Sequence, residues 1–350
     1  MRRLLTTLLL SQLLLTACSN DKYSVVILGD THYDAADPEY YHAGYSDPKP
    51  SRDSIHRQEF VRNGNMWADR CQRLLKRASG LVDKNTKYVF QVGDLIQGDT
   101  ADSTTHARFL DDAVNLFKTS LAPDIPFVTV MGNHDFRGQD RARKAYRAYM
   151  LPRMSQELGQ EITSSNFLFR NGPDAFVAIN YSSKNLDRIM ELLEQARGAR
   201  HVFVLIHTPV FPYDDQNVYY WYFLGDAKDR HAEKRREMRA LLASLNAIVL
   251  CGHTHAIELL DWQGDGGRIT QMTMSSVWSD EAQAEYKEKY SGPEGYPSYA
   301  AIFDEYRPGI SRYSWADSAG SFKLVVKGRK VYIDFYAGDS AKRTKRFILR

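Results

Sequence analysis

The chain has 350 residues, of which 43% are hydrophobic and 25% are charged. This length suits one large α/β domain or two small ones, and the composition excludes a long disordered chain, a collagen and a multi-span membrane protein. The 46 Lys and Arg residues nearly balance the 43 Asp and Glu residues, so charge indicates no nucleic-acid-binding surface. Three cysteines are too few for a disulfide scaffold, so burial of apolar side chains must hold the fold together.

Residues 1–17 are predicted to be a targeting segment rather than part of the fold. They read MRRLLTTLLLSQLLLTA, with two arginines, a short apolar run and a small residue before Cys18, which is the layout of a signal peptide. The end of this run resembles the lipobox of bacterial lipoproteins. The resemblance implies that Cys18 is lipidated and that the protein is exported and anchored to the cell envelope, at the periplasmic face or the cell surface. An ordinary secreted protein cleaved nearby is the alternative, and residues 18–23 are expected to form a short polar tether.

Apolar runs rich in β-branched residues then alternate with stretches of helical period. Continuous apolar strands indicate burial on both faces, as in a sheet covered by helices, so the alternation predicts an α/β layered core. The expected strands are 24–29, 87–93, 126–132, 175–180, 201–206 and 247–252. The expected helices are 66–79, 106–120, 139–150, 185–197 and 230–245.

The C-terminal part is predicted to be an antiparallel β portion that completes or extends a sheet. Its apolar runs have no helical stretch between them, and residues 327–330, Lys-Gly-Arg-Lys, are typical of a hairpin turn. The expected strands of this part are 269–277, 299–306, 322–326 and 331–336.

Two insertions, 33–57 and 211–229, are too long to be simple connections and are rich in aromatic residues. They either wall a substrate cleft or cover a helix and one another, and the sequence does not choose between these interpretations.

Residues that carry chemistry follow the carboxyl ends of five predicted strands. Ligands of a layered α/β sheet bind just beyond those ends, and glycines beside these residues let the chain turn sharply there, so the turns should face one crevice. The residues are Asp30 and His32, then Asp94, then Asn133, His134 and Asp135, then His207, and finally His253 and His255.

These residue types predict a metal centre. Two Asp, one Asn and up to five His suit borderline divalent cations such as Mn²⁺, Fe²⁺ or Zn²⁺, whereas Ca²⁺ and Mg²⁺ prefer more oxygen ligands. The set is too large for one ion but suits two ions about 3.5 to 4 Å apart that share a carboxylate. Asp94 is the natural bridge.

The blocks Asp-Thr-His at 30–32, Gly-Asp at 93–94, Gly-Asn-His-Asp at 132–135, His207 and Gly-His-Thr-His at 252–255 resemble, in the same order, the pattern of the calcineurin-like metallophosphoesterase superfamily. Each block alone is weak evidence for the family, but five blocks in the same order make the resemblance specific. The resemblance implies a metallophosphoesterase-type sheet sandwich flanked by helices. It further implies that residues 24–350 form a single domain, with a metal-binding core at 24–265 and a β-rich completion at 266–350.

The resemblance also assigns roles to the residues. It implies that Asp30, His32, Asp94 and His255 hold the first metal ion, and that Asp94, Asn133, His207 and His253 hold the second. His134 is then the proton donor or the transition-state contact, oriented by Asp135.

The implied activity is metal-dependent hydrolysis of a small or medium phosphate ester, monoester or diester, by a hydroxide that bridges two ions. A non-catalytic binding lipoprotein that retains the fold and a nuclease of the same superfamily are the alternatives, although no nucleic-acid substrate is expected. The arginines with which the protein phosphatases of this superfamily clamp phosphate are missing from the corresponding runs. Gln97 stands where purple acid phosphatases have a tyrosine, which disfavours an iron-tyrosinate site.

The other histidines match no block, and Cys251 precedes one. Cys251 is expected to be inert packing inside a strand. Surface or loop placement is expected for His42, His56, His106, His201 and His231.

Overall fold

The computed structural model describes residues 22–138, 140–180, 185–212, 232–277, 285–298 and 301–350. The signal segment with Cys18, most of the insertion 211–229, and His231 lie outside the described residues, so the expectations for them stay predictions. Within the described ranges, none of the helices combines the length and the apolar character that crossing a membrane requires.

Helices cover the outer faces of the molecule. Two of them continue through a π-helical turn into the next helix, at Trp67–Cys71 and at Tyr146–Met150. The helices are α1 (Glu39–His42), α2 (Pro50–Met66), α3 (Gln72–Ser79), α4 (Ser103–Leu121), α5 (Asp140–Ala145), α6 (Leu151–Leu158), α7 (Leu186–Gln195), α8 (Ala232–Ser244) and α9 (Ala301–Tyr306).

The strands form two sheets. The first sheet has the order β14-β13-β12-β1-β2-β3 and the second has the order β10-β11-β8-β9-β7-β6-β5-β4. The strands are β1 (Lys22–Leu28), β2 (Thr86–Gln91), β3 (Phe127–Thr129), β4 (Phe167–Asn171), β5 (Asp174–Ile179), β6 (Val202–Ile206), β7 (Ile248–Cys251), β8 (Ile257–Gly264), β9 (Gly267–Thr273), β10 (Lys287–Ser291), β11 (Ile310–Asp317), β12 (Gly320–Lys327), β13 (Lys330–Ala337) and β14 (Lys345–Ile348).

The two sheets pack face to face, and helices cover their outer sides. Along β5, Phe176 points into the sandwich, where it lies 5.5 Å from Phe90 of β2 and 4.8 Å from Phe203 of β6 between ring centroids. Its neighbour Val177 belongs instead to the apolar cluster that includes Leu193 of α7. Successive side chains of a strand point to opposite faces, so burial on both faces explains the continuous apolar runs. The layered sandwich expected from the sequence is confirmed.

A buried polar link joins the sheets at the ends of the strands opposite the predicted crevice. Asp174 of β5 has no exposed surface. Its carboxylate accepts two hydrogen bonds from Arg200, at 3.0 and 2.7 Å, and one from the hydroxyl of Tyr23 in β1, at 2.9 Å. Charged groups are tolerated in a protein interior only when they are paired in this way, so this link specifies how the two sheets align.

The C-terminal strands are integral to both sheets. β12 pairs antiparallel with β1, in the register Val26 to Lys323, and the predicted hairpin is confirmed because Lys327 pairs with Lys330. The strand expected at 299–306 is wrong, since α9 (Ala301–Tyr306) is a helix. Phe303 and Tyr306 are both buried, and a spacing of three residues places them on one helical face.

The insertion 33–57 contains α1 and the start of α2, a helix that begins well before the expected residue 66. Tyr41 stacks on Phe109 of α4 with 3.7 Å between ring centroids, and Tyr33 meets the edges of Phe109 and Trp67. These two tyrosines therefore cover a helix, as one of the two interpretations expected.

Surface placement is wrong for the four unassigned histidines that the structure describes, and of these four only His201, directly before β6, lies in a loop as expected. Each ring is buried because its nitrogens find partners inside the fold, which offsets the cost of burying a polar ring. His42 contacts Asp34 and the carbonyl oxygen of Asp99, His56 contacts Tyr45, His106 contacts Thr100 and the carbonyl oxygen of Asp135, and His201 contacts the carbonyl oxygen of Gly328.

Candidate metal centre

The turns that follow β1, β2, β3, β6 and β7 meet at one edge of the sandwich, as the sequence predicts. Asp30 and His32 lie beside His255 in the first donor group. His255 Nε2 is 3.2 Å from Asp30 Oδ2 and 3.0 Å from His32 Nε2. Side chains more than 220 positions apart in the sequence are thus in direct contact, with ligand atoms within 4.8 Å of one another.

A second donor group lies on the other side of Asp94. His207 Nε2 is 3.2 Å from Asp94 Oδ2 and 2.9 Å from Asn133 Oδ1. His253 Nδ1 is 2.8 Å from the same oxygen of Asn133 and 3.2 Å from His207 Nε2. Four side chains from four turns therefore present nitrogen and oxygen atoms to a common point.

Asp94 connects the two donor groups. Its Oδ2 atom is 3.2 Å from His207 Nε2 and 3.7 Å from His32 Nε2, and the backbone NH of His134 donates to its Oδ1 at 2.7 Å. The carboxylate is 1% exposed. A buried carboxylate between two clusters of imidazoles has the geometry of a bridging ligand.

The orientation of His207 shows which atoms are available to a cation. Its Nδ1 atom lies 3.0 Å from the carbonyl oxygen of Val92. A carbonyl oxygen can only accept, so Nδ1 carries a hydrogen, and Nε2 faces Asp94 and Asn133 as the nitrogen that would bind a cation. Metal-binding histidines are commonly held by this second hydrogen bond. The donor set therefore fits divalent cations of the kind that accept nitrogen and oxygen ligands.

Local electrostatics keep most of the imidazoles neutral and Asp94 ionised. Burial lowers the pKa values of His32 and His134 well below the ordinary value and that of His253 to about 3. Although burial alone would raise it, the imidazoles of His207 and His134 hold the pKa of Asp94 well below its usual range. Burial opposes it, but Asp94 raises the pKa of His207 to about 9, so this imidazole holds a proton that a bound cation would displace. Metal binding requires neutral imidazoles and an ionised carboxylate.

The backbone is strained where the donors stand. His32, Asp94, His253 and His255 all have positive φ, at 40°, 54°, 79° and 55°. Non-glycine residues rarely adopt this conformation, which costs about 1 to 3 kcal/mol each. Such strain persists only where the surrounding structure enforces it, and here it aims each side chain at the common centre.

Two glycines permit the close approach of the turns. A Cβ atom at Gly132 would lie 2.1 Å from Asp94 Oδ1, and one at Gly252 would lie 2.4 Å from Asp30 Oδ1. Any larger residue would displace a donor. The glycines that precede the donors in the sequence are therefore part of the site.

The expectation that Asp135 orients the ring of His134 is wrong. The carboxylate of Asp135 accepts from the backbone NH groups of Ile96 and Gly132, at 3.0 and 2.8 Å, so it fastens the second turn to the third. The contact on the ring of His134 is made by the carbonyl oxygen of Gln97, 3.2 Å from Nδ1. A backbone atom orients this histidine.

A partly buried network behind Gln97 has no counterpart among the predicted site residues. Arg137 donates to Glu59 and to Asp99, and the side-chain amide of Gln97 donates to the same carboxylate oxygen of Glu59. Asn63 of α2 donates to Gln97 in turn. The residues of this network form no recognisable sequence motif. The only sequence signal for the network is that Gln97 and Asp99 lie close to Asp94 in the chain.

Cys251 is fully buried in β7, and burial raises the pKa of its thiol well above the ordinary value. This is an inert side chain, as expected.

Comparisons with known proteins agree with this geometry. A profile described as calcineurin-like phosphoesterase matches residues 23–256. No curated protein sequence matches the chain. Among solved structures, GAP50, the anchor in the inner membrane complex of Plasmodium, shares 12% identity at a TM-score of 0.52, over 94% of this chain and 89% of that one.

Two phosphatases have similar folds. A dimetal phosphatase from Danio rerio shares 13% identity at a TM-score of 0.50, over 93% of this chain and 98% of that one. The purple acid phosphatase PPD1 from yellow lupin (Lupinus luteus) shares 12% identity at a TM-score of 0.52, over 93% of this chain and 53% of that one. At these identities the likeness establishes the fold.

Proposed function

The chain belongs to the calcineurin-like phosphoesterase family, and from that premise we propose that it hydrolyses a phosphate ester at a dinuclear metal centre. The observation that carries the proposal is the position of Asp94, buried between two groups of nitrogen and oxygen donors. A single ion would leave one of these groups without a use.

Each donor has a place in the proposed centre. Asp30, His32 and His255 would hold one divalent ion with Asp94, and Asp94 would share the second ion with the remaining donors, which are Asn133, His207 and His253. Bound ions would supply positive charge that stabilises the transition state and would lower the pKa of a coordinated water. The donor types support Mn, Fe or Zn.

His134 would act on the leaving oxygen of the ester. The carbonyl oxygen of Gln97 occupies its Nδ1 atom, which leaves Nε2 as the nitrogen available to a substrate. The ring lies edge-on to His32, with 4.2 Å between centroids, so it is beside the proposed centre without being needed as a ligand. Because the Gln97 carbonyl fixes the hydrogen of the neutral ring on Nδ1, Nε2 would first take up a second proton, which the negative charge of a bound phosphate would favour, and would then pass it to the departing alcohol.

A complete donor set favours catalysis over the alternative of a binding protein that only retains the fold, because an unused centre has no reason to keep strained backbone at four donors. The substrate we propose is a small or medium phosphate ester rather than a nucleic acid, since 46 basic and 43 acidic residues offer no excess of positive charge for tracking a phosphate backbone.

The test is hydrolysis of aryl phosphate monoesters and diesters by the purified protein loaded with Mn²⁺, with metal content measured on the same sample. Asp94→Asn keeps the shape of the side chain and removes the bridging charge, so it should lose metal and activity together. A wild-type protein that holds two ions and hydrolyses none of the esters would overturn the proposal.

We further propose that the protein is an exported bacterial lipoprotein, anchored to the cell envelope through a lipid on Cys18. The layout of residues 1–17 and the small residue before Cys18 support this. Mass spectrometry of the mature N-terminus tests it: acyl chains on a terminal Cys18 are expected, and an unmodified terminus at another residue would contradict the proposal.

A further inference from the structure

A cavity of about 840 Å³ lies beside the metal centre, between the turn after β7, strand β10 and strand β11. Thr254 belongs to its lining and stands between two proposed metal ligands, His253 and His255. The cavity therefore adjoins the place where the phosphate group would be held. We call it the stacking pocket.

Aromatic side chains form much of the stacking pocket. Tyr290 is 51% exposed, and its ring lies 5.8 Å from that of Trp315, tilted by 38°. Tyr296 and Tyr313 lie deeper and meet edge to face at 5.5 Å. An exposed aromatic ring at a cavity mouth offers its face to a second flat ring, and offset stacking of this kind is favourable beyond the apolar area that it buries.

Two polar groups in the lining also lack partners. Among the described residues, neither the indole Nε1 of Trp315 nor the hydroxyl oxygen of Thr254 has a hydrogen-bond partner, and both atoms are buried. Folded proteins rarely leave such groups unsatisfied, and each instance calls for an explanation such as a bound ligand or water. A ring that carries acceptor atoms could satisfy them.

The charges beside the pocket are nearly balanced, because Lys289 is paired with Asp317 and Glu294 belongs to the same lining. Lys289 places its ammonium group 4.3 Å from the centre of the Trp315 ring and 3.3 Å from Asp317. This holds the cation against the aromatic wall. The pocket would therefore receive an uncharged alcohol portion, while the phosphate group would lie at the metal centre.

We propose that the stacking pocket receives the alcohol portion of the substrate and that this portion carries a planar aromatic ring. The inference rests on the proposed phosphoesterase function and adds the substrate class. A saturated ring of equal size fills the same volume but has no flat π-face, so the two kinds of ring should be distinguished by the protein.

The experiment compares 3-phenylpropyl phosphate with 3-cyclohexylpropyl phosphate, each also as its methyl diester, with the Mn²⁺-loaded protein. The two alcohols match in length and basicity, so only the ring differs. Wild-type kcat/KM should favour the phenyl compound about five-fold, which is the scale of an aromatic contact. Tyr290→Leu and Trp315→Leu should reduce this preference below about two-fold. Tyr290→Leu keeps the test independent of folding, because that side chain is half exposed.

Tyr332→Leu is the matched control. Tyr332 lies in β13 of the first sheet and has a cation over its ring, Arg346 at 4.0 Å, as Trp315 has Lys289. Its loss should leave the ring preference unchanged.

Calorimetric binding of the corresponding phosphonates, which cannot be hydrolysed, separates the two proposals. A phenyl preference in binding without hydrolysis of any ester would overturn the phosphoesterase function alone. Equal binding and equal hydrolysis of the two rings by the wild type would overturn the stacking pocket alone. Failure of every phosphonate to bind, together with no hydrolysis of any ester, would overturn both.

Discussion

Substitution of Gly132 by alanine tests whether close packing of two turns positions the bridging carboxylate. The new Cβ atom would lie 2.1 Å from Oδ1 of Asp94 and 2.2 Å from its backbone nitrogen. Real Cβ contacts below 3.0 Å are essentially never seen, so one of the turns must move by about 1 Å. Metal ligands tolerate errors of only about 0.2 Å in distance. A displacement of this size should therefore lower metal affinity and kcat/KM by about 100-fold each.

The assay is metal content by mass spectrometry after dialysis against defined concentrations of Mn²⁺, together with ester hydrolysis. Gly80→Ala is the control, because its Cβ would meet nothing closer than the carbonyl oxygen of Arg77 at 3.2 Å, and it should behave as the wild type. A thermal melt shows that each variant is folded. If a folded Gly132→Ala protein binds two ions with unchanged affinity and hydrolyses esters at the normal rate, the argument from close packing is refuted.

Three further variants are expected to have distinct effects. His134→Asn should keep both ions in metal analysis and lose about 100-fold or more in turnover; a fully metallated, active variant would contradict the role of His134. Arg200→Met removes two hydrogen bonds from the buried carboxylate of Asp174, so the free energy of unfolding, measured in denaturant, should fall by about 3 to 5 kcal/mol. Tyr23→Phe removes only one hydrogen bond from a neutral donor and should lower it by about 1 to 2 kcal/mol. Equal losses in the two variants would refute this reasoning. Burial lowers the pKa of His106 to about 4, whereas in the unfolded chain the pKa is about 6.5. Between these two pH values the unfolded chain binds a proton that the folded protein does not. The free energy of unfolding should therefore decrease by about 3 kcal/mol as the pH falls from about 6.5 to 4. In His106→Asn, the free energy of unfolding should decrease by about 3 kcal/mol less between pH 7 and 4 than in the wild type. The same pH dependence in both proteins would contradict this prediction.

The sequence predicts the part of the fold that side-chain patterns encode. The strands of the predicted layered core read as continuous apolar runs, so all six were found, although the third is shortened to Phe127–Thr129. β9 also pairs parallel with β7, whereas it was expected in the antiparallel part. The donors follow directly from the strand ends, and the structure brings Asp30, Asp94 and their partners together. Local sequence suffices here because each donor stands within a few residues of the strand that positions it.

Other elements depend on interactions that no local pattern contains. β10 is exposed along its whole length and includes Lys287 and Glu288, so it is a strand only because it pairs with β11. The ring of His134 is held by a backbone carbonyl, which every residue type would offer equally. His42 and His106 are buried against partners from other elements or turns, so their environment could not be predicted from their neighbours in the sequence.

The position of β1 has a consequence for how the protein is made. β1 leads into Asp30 and is flanked by β2 on one side and by β12, Gly320–Lys327, on the other. A chain that emerges from its N-terminus onward can pair β1 with β2 early, but the opposite edge of β1 stays unpaired until β12 has emerged. Folding that depends on pairing between strands so distant in the sequence is slow, and its intermediates are prone to aggregation. The first sheet therefore cannot be completed when the last donor, His255, becomes available, but only when β12 does.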